Sequence, residues 1–321
     1  MSVRRQVHAA SGTRRNEDQL KAGRVETSEG YELYYEMAGD AAETLVCLHG
    51  GPGADCGYMR PLSAVADGDL QVLIYDQLGS GKSDVPPNDY DWTVARFVDE
   101  LDDVRERLGL GRVHLMGNSW GGFLALQYAL DRPHGVASLI LSNTSASIPD
   151  ALAEIAKLRA ALDPATRATL ERYEAAEDYE NPEYLTAVDE LYIRHLWRPY
   201  PWDHDRALRE WNEEIVPIFA DDGPALAAMW GPNDFYCTGT LADWDVTARL
   251  AEIAAPTLIA CGTYDMAPPA LHRAMADGIP DNEYLIFGNS SHLPWLENEA
   301  GAYLAVLRDF IRRHSATQGD S

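Results

Sequence analysis

One serine is placed as a nucleophile needs to be. In Gly117-Asn118-Ser119-Trp120-Gly121 it stands between two glycines, after the apolar run 112–116 and before the helical pattern 123–131. A strand, G-x-S-x-G and a helix together make a sharp turn that lifts one hydroxyl above a sheet. Gly117 and Gly121 are needed because a side chain at either place would strike the crossing backbone or keep the helix off its strand. A hydroxyl is a weak nucleophile until a base takes its proton, and that base needs an acid to orient it. Acid and base are expected on loops after later strands, the acid first. After the run 256–261 comes Gly262-Thr263-Tyr264-Asp265, whereas residues 142–149, the other loop that could carry the acid, contain none. After the run 283–287 comes Gly288-Asn289-Ser290-Ser291-His292. Of the nine histidines, His8 and His314 fall in tails, His195, His204 and His272 in helical stretches, and His114 and His134 in or beside scaffold elements. The expected triad is therefore Ser119, Asp265 and His292.

The oxyanion formed when a serine attacks a carbonyl needs fixed donors, each worth about 3–4 kcal/mol. The backbone N–H of Trp120, next to the nucleophile, should be one. The other should come from His49-Gly50-Gly51-Pro52-Gly53, with Gly51 favoured. His49 is expected to hold that loop by hydrogen bonding, and Asp76 to anchor the loop that follows it.

These loops need a sheet to carry them. Residues 24–27 and 31–37 read as a hairpin about Ser28-Glu29-Gly30. Residues 44–48, 71–75, 112–116 and 136–141 read as strands buried on both faces, with an amphipathic helix over 92–108. Strands alternating with helices at this spacing predict a mostly parallel sheet with helices on both faces. From about residue 148 to 250 strand patterns give way to helical ones broken by prolines, which predicts an inserted helical cap. The sheet resumes at 256–261 and 283–287, and 299–313 makes a closing helix. The expected organisation is a mobile tail over 1–23, a core made of 24–147 and 251–321, and a cap over 148–250.

Composition excludes several classes. Net charge is −25, from 26 basic and 51 acidic residues, which opposes a nucleic-acid or anionic-membrane partner. No run approaches the roughly 18 apolar residues of a membrane span, and the N-terminus lacks the apolar stretch of a secretory signal. A cytoplasmic protein is expected. The four cysteines, Cys47, Cys56, Cys237 and Cys261, fit neither a disulfide framework nor a metal site, so no metal and no cofactor are expected. Only three of the basic residues are lysine; the other 23 are arginine. Adaptation to high salt and a high-GC genome both account for that bias, and both remain open.

Taken together, three segments resemble the proline iminopeptidases (prolyl aminopeptidases) of the α/β-hydrolase superfamily. They are His49-Gly50-Gly51-Pro52-Gly53, Tyr75-Asp76-Gln77-Leu78-Gly79-Ser80-Gly81-Lys82-Ser83 and Gly117-Asn118-Ser119-Trp120-Gly121-Gly122. Gly231-Pro232-Asn233-Asp234-Phe235, the stretch 239–247 with Asp243-Trp244-Asp245, and Ser291-His292 are similar as well. The likeness runs from about residue 24 to the C-terminus and is closest to the tricorn-interacting aminopeptidase type and related amino-acid amidases. It implies an α/β-hydrolase fold and metal-free removal of an N-terminal residue, often proline, from a small peptide or amino-acid amide. In that family acidic side chains of the cap bind the substrate's free amine and aromatic ones enclose its first side chain. Asp234 stands where glutamate is typical; being one methylene shorter, it needs the ammonium to sit deeper or to be bridged by water. Met266 stands where a second acid often follows the catalytic aspartate, leaving Glu180, Glu183, Glu213 and Glu214 as substitutes. Trp120, Trp230, Phe235, Tyr236 and Trp295 are candidates for pocket walls or for cap core.

The expected activity is thus acyl transfer through Ser119 to release one N-terminal residue. An esterase lacking amine recognition is the alternative that Met266 suggests, and a non-catalytic binding module is the reading from a different class.

Overall fold

Apolar runs bounded by turns form the framework. The computed structural model describes residues 20–219 and 223–315. Residues 1–19 of the expected tail lie outside the described ones, and a strand already begins at Lys21, earlier than the residue 24 anticipated. β1 (Lys21–Glu26) and β2 (Glu32–Ala38) are an antiparallel hairpin whose turn needs the positive φ of Gly30, +86°. β3 (Glu43–Leu48), β4 (Leu70–Tyr75), β5 (Val113–Asn118), β6 (Val136–Ser142) and β7 (Thr257–Gly262) follow, buried along almost their whole length. Such continuous burial requires cover on both faces. β8 (Asn282–Phe287) closes the sheet as an edge strand. The order is β1-β2-β4-β3-β5-β6-β7-β8, antiparallel at β1/β2 and β2/β4 and parallel elsewhere. Parallel strands end on one side, so the loops after β3, β4, β5, β6, β7 and β8 share one rim.

The cover is helical. α1 (Val94–Arg107) starts at Thr93, whose hydroxyl accepts from the Arg96 N–H, and packs on α2 (Trp120–Asp131). α2 in turn lies on β3, β5 and β6. Between β6 and β7 run α3 (Ile148–Ala160), α4 (Pro164–Ala175), α5 (Pro182–His195) and α6 (His204–Glu210). Pro164 and Pro182 occupy first turns behind Asp163 and Asn181 caps, so these prolines begin helices as well as ending what precedes them. Wide π-turns at Trp211–Ile215 and Leu226–Trp230 and 3-10 segments at Val216–Ile218 and Thr247–Glu252 complete the insertion. α7 (Pro269–Gly278) packs on β7 and β8, and α8 (Ala300–Arg313) on the 3-10 segment Cys56–Val65. Among the described residues no helix is long and apolar enough to cross a membrane.

Candidate active site

The turn after β5 is as tight as its glycines imply. Ser119 sits at φ 55°, ψ −122°, outside the regions a side chain favours. A Cβ on Gly117 would lie 2.0 Å from the Gly121 carbonyl oxygen, and one on Gly121 would lie 2.1 Å from that of Leu48. Both are backbone collisions that no rotamer change relieves. The strained conformation is held from two sides. The Ser119 N–H donates toward the carbonyls of Ser142 and Asn143, and the Thr144 hydroxyl donates to the Ser119 carbonyl at 2.8 Å.

Asp265 and His292 meet as a pair, with Nδ1 2.6 Å from Oδ1. Asp265 Oδ1 also accepts from the Ala267 N–H at 2.9 Å, and Oδ2 from the Asn143 amide at 2.7 Å. A carboxylate only accepts, so Nδ1 carries the proton and Nε2 keeps its lone pair, and His292 borders the same cavities as Ser119. Burial acts to lower the pKa of the imidazole, but the carboxylates of Asp265, Asp234 and Glu297 outweigh it and leave the group above its ordinary value. Asn143 also donates to the Ser291 carbonyl at 2.9 Å, tying the acid loop to the histidine loop. The sequence does not single it out, because an uncharged asparagine among the polar residues of the loop 142–149 carries no pattern of its own. Its φ of 54° suits asparagine, which tolerates the left-handed region.

The loop after β3 runs beside Ser119. His49 Nε2 accepts from the Gln77 N–H at 2.9 Å and Nδ1 donates to the Gly50 carbonyl, so this histidine fastens loop to loop. Asp76 does the expected anchoring by accepting from the N–H groups of Cys56 and Lys82. The Gly50 N–H is taken by the Tyr58 hydroxyl at 2.7 Å, and that hydroxyl donates to Asn118 Oδ1. Gly51 comes next, at φ +107°, where a Cβ would lie 2.5 Å from the Gly53 nitrogen. It borders the cavity that Ser119 faces. On the other side, the Trp120 N–H opens α2, where no intrahelical acceptor exists.

Two cavities meet at Ser119. The wider encloses about 310 Å³ and the narrower about 30 Å³, and Gly51, Ser119, Asp234 and His292 border both. The narrow one is walled by Phe123, Ala151, Ile155, Trp230 and Met266, all buried. The wide one is walled by side chains of the insertion, among them Tyr184, Tyr192, Trp211 and Phe219, and opens at Leu185 and Val216, which are 49% and 39% exposed. Asp234 accepts from the Tyr192 hydroxyl at 3.0 Å; burial raises its carboxyl above the usual range, and the nearby His292 acts to lower it.

Several expected walls belong elsewhere. Of the aromatic candidates, Trp230 borders the narrow cavity, while Trp120, Phe235, Tyr236 and Trp295 border neither. The Trp120 ring is fully buried and donates to Gln77. Phe235 stands edge-on behind Tyr192, Tyr236 packs against Tyr179, and Trp295 stacks on Tyr58 while donating to its carbonyl. They form a second layer supporting the walls. Glu180, Glu183, Glu213 and Glu214 are exposed, and none borders either cavity. The second acid present is Asp189 of α5, which accepts from the Trp211 indole at 2.8 Å inside the wide cavity. Its neighbour Glu190 faces His204 and Arg194 instead, a division of labour that helical periodicity in an acid-rich segment does not mark.

Residues 43–299 match the family described as the alpha/beta hydrolase fold. The chain is 35% identical over 303 residues to the proline iminopeptidase of Saccharolobus solfataricus, covering 91% of this chain and 94% of that one. The crystal structure of a proline iminopeptidase from Mycobacterium smegmatis aligns with a TM-score of 0.78 at 34% identity, over 92% of this chain and 98% of the other. The crystal structure of VinJ aligns with a TM-score of 0.80 at 36% identity, over 92% and 99%.

Proposed function

This chain belongs to the proline iminopeptidase family of the alpha/beta hydrolase fold, and from that premise we propose that it removes the N-terminal residue of short peptides or amino-acid amides through an acyl-enzyme. The observation that carries the reading is the Asp234 carboxylate. It borders both cavities beside Ser119 and His292, where it can hold the ammonium two bonds from the acyl carbon. In this reading Ser119 Oγ attacks the carbonyl while His292 Nε2 takes its proton, and Asp265 holds the imidazolium by Nδ1. The N–H groups of Gly51 and Trp120 receive the oxyanion. His292 then gives the proton to the leaving nitrogen, and water releases the N-terminal amino acid by the same steps in reverse order. The narrow cavity, with its buried apolar walls, takes the single side chain of the first residue, and its size suits proline or another small apolar residue. The Ile155 and Met266 walls offer that side chain contact but no hydrogen bond.

Prolyl and alanyl arylamides, free and N-acetylated, test the reading on the purified chain. Acetylation should lower kcat/KM by about a hundredfold or more, the usual penalty of leaving a buried carboxylate without its cation. Equal rates would favour the esterase reading, for which the apolar Met266 at the narrow cavity is the motivating observation. We retain a cytoplasmic setting with a small peptide or amide as the partner. The four cysteines are free, as in a reducing compartment, and the cavities are sized for a short chain.

A further inference from the structure

Resting on the aminopeptidase reading, we propose that the wide cavity is the leaving-group chamber and that it selects neutral or cationic leaving groups while disfavouring a carboxylate close to the scissile bond, with Asp189 as the determinant. An exopeptidase needs a bounded space for one residue and an open one for whatever follows. The narrow cavity, about 30 Å³, has apolar walls of buried side chains, whereas the wide one, about 310 Å³, has the exposed Leu185 and Val216 among its walls. Its walls are largely aromatic and aliphatic, and its acidic members are Asp189 and Asp234. No lysine or arginine is among its described lining residues, and its one histidine is His292. Arginines of the insertion are engaged elsewhere: Arg159 with Glu174, Arg194 with Glu190, and Arg198 over the rings of Trp202 and Tyr264.

A free dipeptide would bring its C-terminal carboxylate one residue beyond the reacting carbonyl, into this chamber. There it would lose water, meet no cation and face Asp189. The Trp211 indole is already donated to Asp189, so it is not available to the newcomer. A dipeptide amide presents the same shape without the charge. A longer peptide moves its carboxylate out past the rim, and a basic second residue adds a favourable partner for Asp189.

The test compares kcat/KM for Pro-Phe amide, Pro-Phe free acid and Pro-Arg amide, or the alanyl set if alanine is the better first residue. The expected result is a preference of about tenfold or more for Pro-Phe amide over the acid, with Pro-Arg amide at least as good as Pro-Phe amide. Asp189→Asn should narrow the amide-to-acid ratio several-fold. Equal wild-type rates for amide and acid, or a ratio unchanged in Asp189→Asn, would overturn the proposal. The wild-type comparison stands even if that variant does not fold. Val188→Trp, which fills the same chamber, should cost Pro-Phe amide more than prolinamide, whose leaving group is ammonia; equal losses would overturn the assignment of the chamber. All these substrates keep a free amine, so a failure here is distinct from indifference to N-acetylation, which would overturn the aminopeptidase reading itself.

Discussion

At the scale of single residues, the electrostatics of the candidate site centre on His292 and Asp234. The imidazole must be neutral to accept the serine proton, and its carboxylate neighbours hold it above its ordinary pKa. Activity should therefore rise with pH through a midpoint above about 6.5 and fall on acidification as Nε2 becomes protonated. Asp234 is one of the groups raising that value, so Asp234→Asn should move the acid limb of kcat/KM to lower pH while raising KM for free-amine substrates. An acid limb that stays in place would show that the Asp234 charge does not reach His292. Ser119, Asp265 and His292 stand out in the sequence because each follows a strand in the one turn that offers a side chain suited to a triad. Asp189 does not. It sits mid-helix among other acids, and only the packing of α5 against the Trp211 turn selects it to face inward. The aromatic candidates divide for a related reason. Composition shows that a cap holds rings, but not which of them form the wall, like Trp230, and which stand behind it, like Phe235 and Trp295.

At the scale of elements, the end of α5 ties together the loops that carry acid and base. The Met266 N–H donates to the His195 carbonyl at 3.0 Å, and His195 Nδ1 donates to the Tyr264 carbonyl, so the Asp265 loop is fastened on both sides. The Ser291 hydroxyl lies between the Leu196 carbonyl and the Glu297 carboxyl, with one proton to share between them, and Glu297 accepts from the N–H groups of Ser291 and Arg198. One helix thus supplies walls to the wide cavity through Tyr184, Asp189 and Tyr192, and its C-terminal end clamps the loops that carry Asp265 and His292. The Glu297 carboxyl is buried, which pushes it up to about 7 despite the donors from Ser291 and Arg198. Glu297→Gln keeps the shape but turns an NH₂ toward donors that need an acceptor. It should cost about 1–3 kcal/mol of stability and lower kcat more than it raises KM, since the His292 loop loses its tether and the cavities keep their walls. Thermal melting with steady-state kinetics checks both; unchanged kcat in a destabilised protein would make Glu297 a purely structural residue. The central strands β3 to β7 were legible because buried parallel strands are continuous apolar runs, and the β1/β2 hairpin because Ser28-Glu29-Gly30 marks its turn. The interior of the insertion was not, since its π-turns and 3-10 segments leave no periodic mark and their register follows from packing on the core.

At the scale of the whole molecule, charge governs both solubility and access. A net charge of −25 destabilises any compact state by self-repulsion, and the same field draws in a substrate that carries an ammonium. Much of the surface arginine is already committed to local pairs, such as Arg313 with Glu283 and Asp309, Arg105 with Asp102, and Arg249 with Asp131 and Glu252. The excess acid is what salt will screen. The Debye length falls from about 10 Å at 0.1 M to about 3 Å at 1 M, so most long-range repulsion is gone within the first few tenths molar. Two opposite trends should follow. Tm should rise with sodium chloride, whereas kcat/KM for free-amine substrates should fall through KM while kcat holds. Screening alone predicts that the rise in Tm flattens by about 0.5 M. A Tm that keeps climbing to molar salt, with activity retained, would favour adaptation to saline surroundings over the compositional bias of a genome. A KM that does not change with salt would mean that the amine is recognised only at short range by Asp234 and that the acidic surface does not steer its substrate.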